Sequence, residues 1–197
     1  MTAEIDPTQA NWSRRPIALA GFMGVGKSSI GRSLAGMIDR PFVDSDNVVV
    51  ERLGMSIAAM FRAGGEKRFR QIEADVIEEL VAAVPPRVIA LGGGALGNAA
   101  TLATLRDRAL LVHIRLPWEA LAPLIPKLRR GRPLLETSTT EEIHELFVSR
   151  DELYSGCHLT IELRREGVHR SATSLLAALA PYGIEAAPKF GPKAQLP

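Results

Sequence analysis

Residues 21–28 read Gly21-Phe22-Met23-Gly24-Val25-Gly26-Lys27-Ser28. The stretch satisfies the pattern G-x-x-x-x-G-K-[ST] at every specified position. Before it, residues 16–20 (PIALA) form a short apolar run, expected as a strand. After it, Ile30, Leu34, Met37 and Ile38 recur at helical spacing within residues 26–39. Strand, glycine turn and helix are the context in which this pattern binds phosphate. Glycines let successive N–H groups turn onto one anion, and the helix start adds the positive end of its dipole. Lys27 can reach outer phosphates and Ser28 can ligate Mg²⁺. Gly24, Val25, Gly26, Lys27, Ser28 and Ser29 are therefore the expected nucleotide contacts. The plain alternative is a glycine turn that merely caps a helix.

Outward from this loop, apolar runs alternate with amphipathic stretches. Strands are expected at residues 41–43, 88–91, 110–116 and 157–163, and helices at 46–53, 56–62, 66–84, 140–155 and 171–180. In the helix at 66–84, Phe69, Ile72, Val76, Ile77, Leu80, Val81 and Val84 form one stripe, stopped by Pro85-Pro86. Such alternation predicts an α/β fold with a mostly parallel sheet. Ligands of these sheets sit beyond the carboxyl ends of the strands. Here those ends carry the glycine loop, Asp44 with Asp46, and Gly92-Gly93-Gly94, which are expected to form one site.

The chain has 197 residues, enough for one domain with its own core. It is expected over residues 15–180, between flexible tails at 1–14 and 181–197. Lys plus Arg number 24 against 22 Asp plus Glu, a balance that gives no reason to expect nucleic acid as a partner. The single cysteine, Cys157, excludes an internal disulfide, and the four histidines show no metal-ligand spacing. No apolar run approaches the roughly 18 residues of a membrane span, and the N-terminus has no signal core. The expectation is a cytoplasmic protein, not a membrane one.

Asp44 and Asp46 stand two residues apart at a strand's end and are expected on one side. Carboxylates so close repel unless a cation or hydroxyl groups stand between them. Asp44 suits the surroundings of a metal, and Asp46 suits a base or hydroxyl acceptor. The plain alternative is that both cap the following helix, since Asp is a favoured N-cap. Arg70, with Glu73 three residues on to orient it, suits a carboxylate. It can equally be a solvated charge among Arg62, Lys67 and Arg68. Gly92, Gly93 and Gly94 can present backbone N–H groups to a small polar ligand or form a bare turn. Arg129, Arg130 and Arg132 lie in LRRGRPLL (128–135), a basic segment that can fold over phosphates as a lid at about 122–138, or be a solvated loop. Arg150 is a second possible carboxylate partner.

GFMGVGKSSIGRSLA, FVDSD, SIAAMF, GEKRFRQIE, LGGGA, RPLL and SRDELY follow one another over roughly residues 15–180. In this order the chain resembles the shikimate kinases, small P-loop kinases related to the nucleoside monophosphate kinases. The resemblance implies a five-stranded parallel sheet in order 2-3-1-4-5. It implies transfer of the ATP γ-phosphoryl group to the 3-hydroxyl of shikimate with Mg²⁺, and a monomer is expected. By motif, Lys27 and Ser28 carry phosphate and Mg²⁺, and Asp44 supports the metal through water. Asp46 holds substrate hydroxyls and is the candidate base, while Arg70 and Arg150 grip the carboxylate. Gly92, Gly93 and Gly94 line the substrate, and Arg132 is the lid arginine. Phe61 and Phe69 lie near the ring, and Glu73 holds Arg70. The rival within the same chemistry is a kinase for another polyol or cyclitol acid, such as gluconate or quinate. The chain departs from the family where the lid begins. The family's adenine-stacking arginine falls at Ile125, leaving Arg129 or Arg130 as substitutes, and the late adenine loop reads ELRREGVHR without the usual proline.

Overall fold

A computed structural model gives the fold over residues 11–63, 65–129 and 138–188. Residues 130–137 of the expected lid, Arg130 and Arg132 among them, lie outside the described residues. A parallel sheet holds β1 (Ile17–Ala20), β2 (Phe42–Asp44), β3 (Val88–Ala90), β4 (Leu110–Arg115) and β5 (Leu159–Glu162), in the order β2-β3-β1-β4-β5. The expected order is the observed one. Ile17 pairs with Val88 on one side and Leu110 on the other, so β1 is central and bonded along both edges. Its continuous burial explains its unbroken apolar sequence.

Alternation along the strands sorts the core into two layers. Ile17, Leu19, Leu110, Val112 and Ile114 face α1 (Lys27–Met37) and α9 (Val168–Leu179). Ala18, Ala20, Ile89 and Leu111 face the other layer. That layer comprises α2 (Ser45–Leu53), α3 (Ile57–Arg62), α4 (Glu66–Ala82) and α5 (Ala99–Arg108). Two short helices, α6 (Trp118–Leu121) and α7 (Ile125–Leu128), lead toward the lid, and α8 (Thr140–Tyr154) returns to the sheet. α8 opens on a capping box, with Thr139 and Glu142 each satisfying the other's backbone N–H.

The sequence reading departs from the structure in three places. Helix α5 goes unread because only Thr101 and Leu105 of it are buried, too short a stripe to stand out. Its start signal is present in Asn98, whose Oδ1 accepts from the N–H groups of Ala100 and Thr101. Helix α4 ends at Ala82, not at 84. A residue preceding proline is pushed out of the helical region, and Val84, counted on the apolar stripe, is 89% exposed. The expected tails also give way at their inner ends. Trp12 is only 4% exposed, with its ring 4.9 Å from His158 and 6.3 Å from Tyr182. Arg40 holds the same segment through Arg15 O (2.9 Å) and Ser13 O (2.5 Å). At the other end Ile184 joins the α1–α9 layer, and Ala187 N–H donates to Met37 O at 2.8 Å.

His158 extends the β4–β5 pairing with its side chain. Its own N–H donates to Leu111 O, and its Nδ1 accepts from Leu111 N–H at 3.0 Å. Burial, then the charge of Arg106, lowers its pKa from 6.5 to about 4. The accepting nitrogen must stay unprotonated, so this contribution is complete above pH 6.5 and fades as pH falls toward 4. Roughly 2 kcal/mol is at stake, or about 5 °C in Tm. Thermal melts from pH 7 to 4.5 should therefore fall more steeply for the wild-type protein than for His158→Asn, whose amide oxygen accepts without titrating. Parallel curves would remove His158 as the cause.

Candidate active site

The carboxyl ends of β1, β2 and β3 open onto one cleft. At the end of β1 the loop enters α1 through Gly26, which caps the helix at φ 98°, a conformation that favours glycine. Lys27 lies across this loop, its Nζ donating to Gly21 O at 2.7 Å and Phe22 O at 3.2 Å. Ser28 Oγ donates to Asp44 Oδ2 at 2.5 Å, tying the loop to the end of β2. Asp44 Oδ1 accepts from Asp46 N–H at 3.1 Å, so Asp44 is the cap of α2. Of the two aspartates considered as caps, Asp44 is the one that caps, and Asp46 sits in the first turn of α2 with its carboxylate toward Gly92.

Ser28 and Asp44 present two hard oxygens side by side, a donor set that suits a divalent cation such as Mg²⁺. Among the described residues no three His, Cys, Asp or Glu side chains converge on a metal position. Phosphate and water would therefore supply the remaining ligands.

On the other wall, Arg70 of α4 donates through Nη1 to Glu73 Oε2 at 2.7 Å. Glu73 is buried, and its ionised form is opposed first by that burial, then favoured by the hydrogen bond and charge of Arg70. Asp46 opposes it further and Arg150 favours it, so Glu73 feels the charge of all three groups. The guanidinium of Arg70 lies 5.1 Å from the ring of Phe69 and 5.9 Å from that of Phe61. Arg70 is therefore a held cation over an aromatic floor, not a solvated face charge.

The three glycines do different work. Gly92 N–H donates to the buried Ser45 Oγ at 3.0 Å, so this amide, read as a substrate contact, is taken by the protein. A Cβ at Gly92 would collide with Asp46 Oδ1 and stand 2.8 Å from Glu73 Oε1. A Cβ at Gly94 would stand 2.8 Å from both terminal nitrogens of Arg70. Gly93 faces open space, and its carbonyl accepts from Tyr154 Oη at 3.1 Å. Arg150, one turn before Tyr154 on α8, reaches the helical turn Ala95–Gly97 that follows, its Nη1 3.7 Å from where a Cβ of Gly97 would lie.

Toward the lid, Leu128 packs against Gly24 of the loop, and Arg129 follows at the end of α7 with a buried Nε that has no hydrogen-bond partner. Ile125, at the place of the family's adenine arginine, is a buried core residue. Two groups near the site escaped the sequence reading. His113 is buried on β4, its ring 4.6 Å from that of Tyr154. Burial, eased by Asp151 and reinforced by Arg115 and Lys27, lowers its pKa from 6.5 to about 4. Its signal was a lone polar residue inside LLVHIR.

A family model described as shikimate kinase matches residues 23–180. The chain is 36% identical over 162 residues to a shikimate kinase of Geobacter sulfurreducens, covering 82% of this chain and 88% of that one. Among solved structures, the shikimate kinase of Acinetobacter baumannii in complex with shikimate aligns with a TM-score of 0.77 at 32% identity, covering 86% and 94%. A gluconokinase of Sinorhizobium meliloti aligns at 0.55 with 18% identity, covering 85% and 92%, a likeness of fold alone.

The two close approaches predict opposite outcomes for one methyl group. Gly94 has φ −106° and ψ −4°, open to alanine, and only the end of a flexible side chain stands in the way. Gly94→Ala should keep Tm within about 2 °C while a crystal structure shows the Arg70 guanidinium displaced. Gly92→Ala forces anchored carboxylates apart at about 1–3 kcal/mol, so its Tm should fall by roughly 3–8 °C.

Proposed function

The chain belongs to the shikimate kinase family, and from that premise we propose that it transfers the γ-phosphoryl group of ATP to the 3-hydroxyl of shikimate. ADP and shikimate 3-phosphate are the products. The observation that carries the acceptor is the pair of arginines along residues 92–97, Arg70 against Gly94 and Arg150 beside Gly97, with the carboxylate of Asp46 against Gly92. A ring acid with several hydroxyls needs that combination: cations for its carboxylate, a carboxylate for its hydroxyls and a wall for its ring.

The loop amides around Gly24–Ser29 orient the phosphates, and Lys27 exchanges the carbonyls of Gly21 and Phe22 for phosphate oxygens. Ser28 directly, and Asp44 through water, would hold Mg²⁺, which when bound neutralises charge on the phosphates. Arg70, locked by Glu73, fixes the acid's carboxylate with Arg150. Asp46 accepts the 3-hydroxyl proton as that oxygen bonds to phosphorus and the bond to ADP breaks. Phe61 and Phe69 wall the ring, Gly93 and Gly94 line it, and Arg129 is the nucleotide-contacting arginine of this reading. Arg132 is the lid arginine of this reading. We place the protein in the cytoplasm as a monomer. Its one thiol, Cys157, suits that setting, because burial pushes its pKa up to about 12 and keeps it protonated.

A coupled ADP-release assay with ATP, Mg²⁺ and a panel of shikimate, quinate and gluconate tests the reading, with shikimate expected to have the highest kcat/KM. Preference for gluconate would overturn it. Lys27→Ala should cost roughly 10²–10³ in kcat, and Asp46→Asn should lower kcat with little change in the KM for ATP. Arg70→Ala should raise the KM for shikimate about 30-fold, or roughly 2 kcal/mol, leaving the KM for ATP within twofold. Equal effects on both substrates would remove Arg70 from the acceptor site.

A further inference from the structure

The turn at Gly92–Gly94 hangs from two buried hydroxyls. Ser45 Oγ accepts from Gly92 N–H at 3.0 Å, and Tyr154 Oη donates to Gly93 O at 3.1 Å. The remaining carbonyls are used locally: Gly92 O accepts from Ala95 N–H at 3.1 Å and Gly94 O from Gly97 N–H at 3.0 Å. The Gly93 carbonyl alone of the three is handed to another element. That element is α8, which also carries Arg150 on the same face, four residues earlier. α8 therefore meets the glycine turn through Tyr154 at Gly93 and brings Arg150 beside Gly97, in the helical turn Ala95–Gly97 that continues from it.

Tyr154 is in turn immobilised. It is 3% exposed, and its ring packs on His113 at 4.6 Å and 35°. His113 Nδ1 lies 3.4 Å from Thr160 Oγ1 of β5, and its Nε2 lies 3.9 Å from Asp151. The hydroxyl thus projects from a ring fixed against the sheet.

We infer that Tyr154 is a positioning residue for the acceptor acid: its hydroxyl sets the spacing between Arg150 and the triple-glycine turn, and so tunes affinity for the acid without touching it. This rests on the acceptor reading above. Without the hydroxyl, Gly93 O loses its partner, and the turn and α8 are free to shift against each other. Arg70, whose guanidinium lies against Gly94, shares in that shift, whereas the phosphate loop sits on β1 and does not.

Tyr154→Phe removes the hydroxyl and keeps the ring. The KM for shikimate should rise about five- to tenfold, with the KM for ATP within twofold and kcat within about threefold. A purely structural tyrosine would lower Tm and leave the two KM values alone, and that result would overturn the inference. In an Arg150→Ala background the hydroxyl should matter less, so adding Tyr154→Phe should change the KM for shikimate less than twofold. A full, independent second loss would also overturn it. Should the phenylalanine variant fail to fold, Ser45→Ala loosens the same turn from its other anchor and should raise the KM for shikimate alone; unchanged values would count against the inference. The wild-type control separates the two levels. If it turns over another acid and not shikimate, the acceptor assignment fails, and the Tyr154 comparison is read with that acid.

Discussion

Parallel pairing gives a sheet one chemical polarity, and the rest of this protein depends on it. β1 is bonded in parallel to β3 and β4, and β3 to β2. Every strand therefore delivers its following residues to the same edge. The phosphate loop, Asp44 with Asp46, and the three glycines lie 16 to 73 positions apart along the chain, yet all follow strands that end side by side. Had one strand run the other way, its polar residues would have been carried to the far edge. The cleft is a consequence of this pairing, and the side chains in it are refinements.

Within the cleft, the balance of charge is set by burial. Glu73 is held in the protein with the Arg70 guanidinium as its hydrogen-bonded partner. Removing one member of such a pair strands the other, so the two act as a unit. The pair leaves Arg70 accessible on one side, 31% exposed, where it can meet an anion. Bare glycines keep that side clear: Gly94 admits the guanidinium, and Gly92 admits the carboxylates of Asp46 and Glu73. Small residues here are required by close approach, and the triple glycine is as much a packing feature as a flexible one.

The two walls of the cleft are built differently. The nucleotide wall is backbone: a loop curled by its glycines, bound to the first turn of α1 and tied to β2 through Ser28 and Asp44. The acceptor wall is made of side chains from α4 and α8: Arg70 is held by Glu73 of its own helix and lies over Phe61 of α3, and Tyr154 packs on His113 of β4. Precision on the first wall comes from local geometry, and on the second from tertiary packing. That difference explains why the phosphate loop was legible from its local motif, whereas Arg70, Asp46 and the glycines were named with alternatives that only contacts could decide.

The amino-acid sequence by itself determined the fold class, the strand order by resemblance, the phosphate loop and the identity of the charged residues. Those features are written locally, as periodicity, turn glycines and short motifs, and local patterns survive without knowledge of contacts. It was silent on helix α5, whose buried stripe is too brief, and it misplaced the tails, because one Trp12 and one Ile184 make no period. Only the tertiary structure decided that Asp44 and not Asp46 caps α2, that the Gly92 amide is spent on Ser45, and that Arg70 is a held cation. Only it brought Tyr154 to Gly93, across 61 positions of chain. The Ser45 and Tyr154 contacts join residues remote in sequence, and even the local ones, Asp44 to Asp46 and Arg70 to Glu73, are chosen among alternatives by burial, which exists only after the chain has closed on itself.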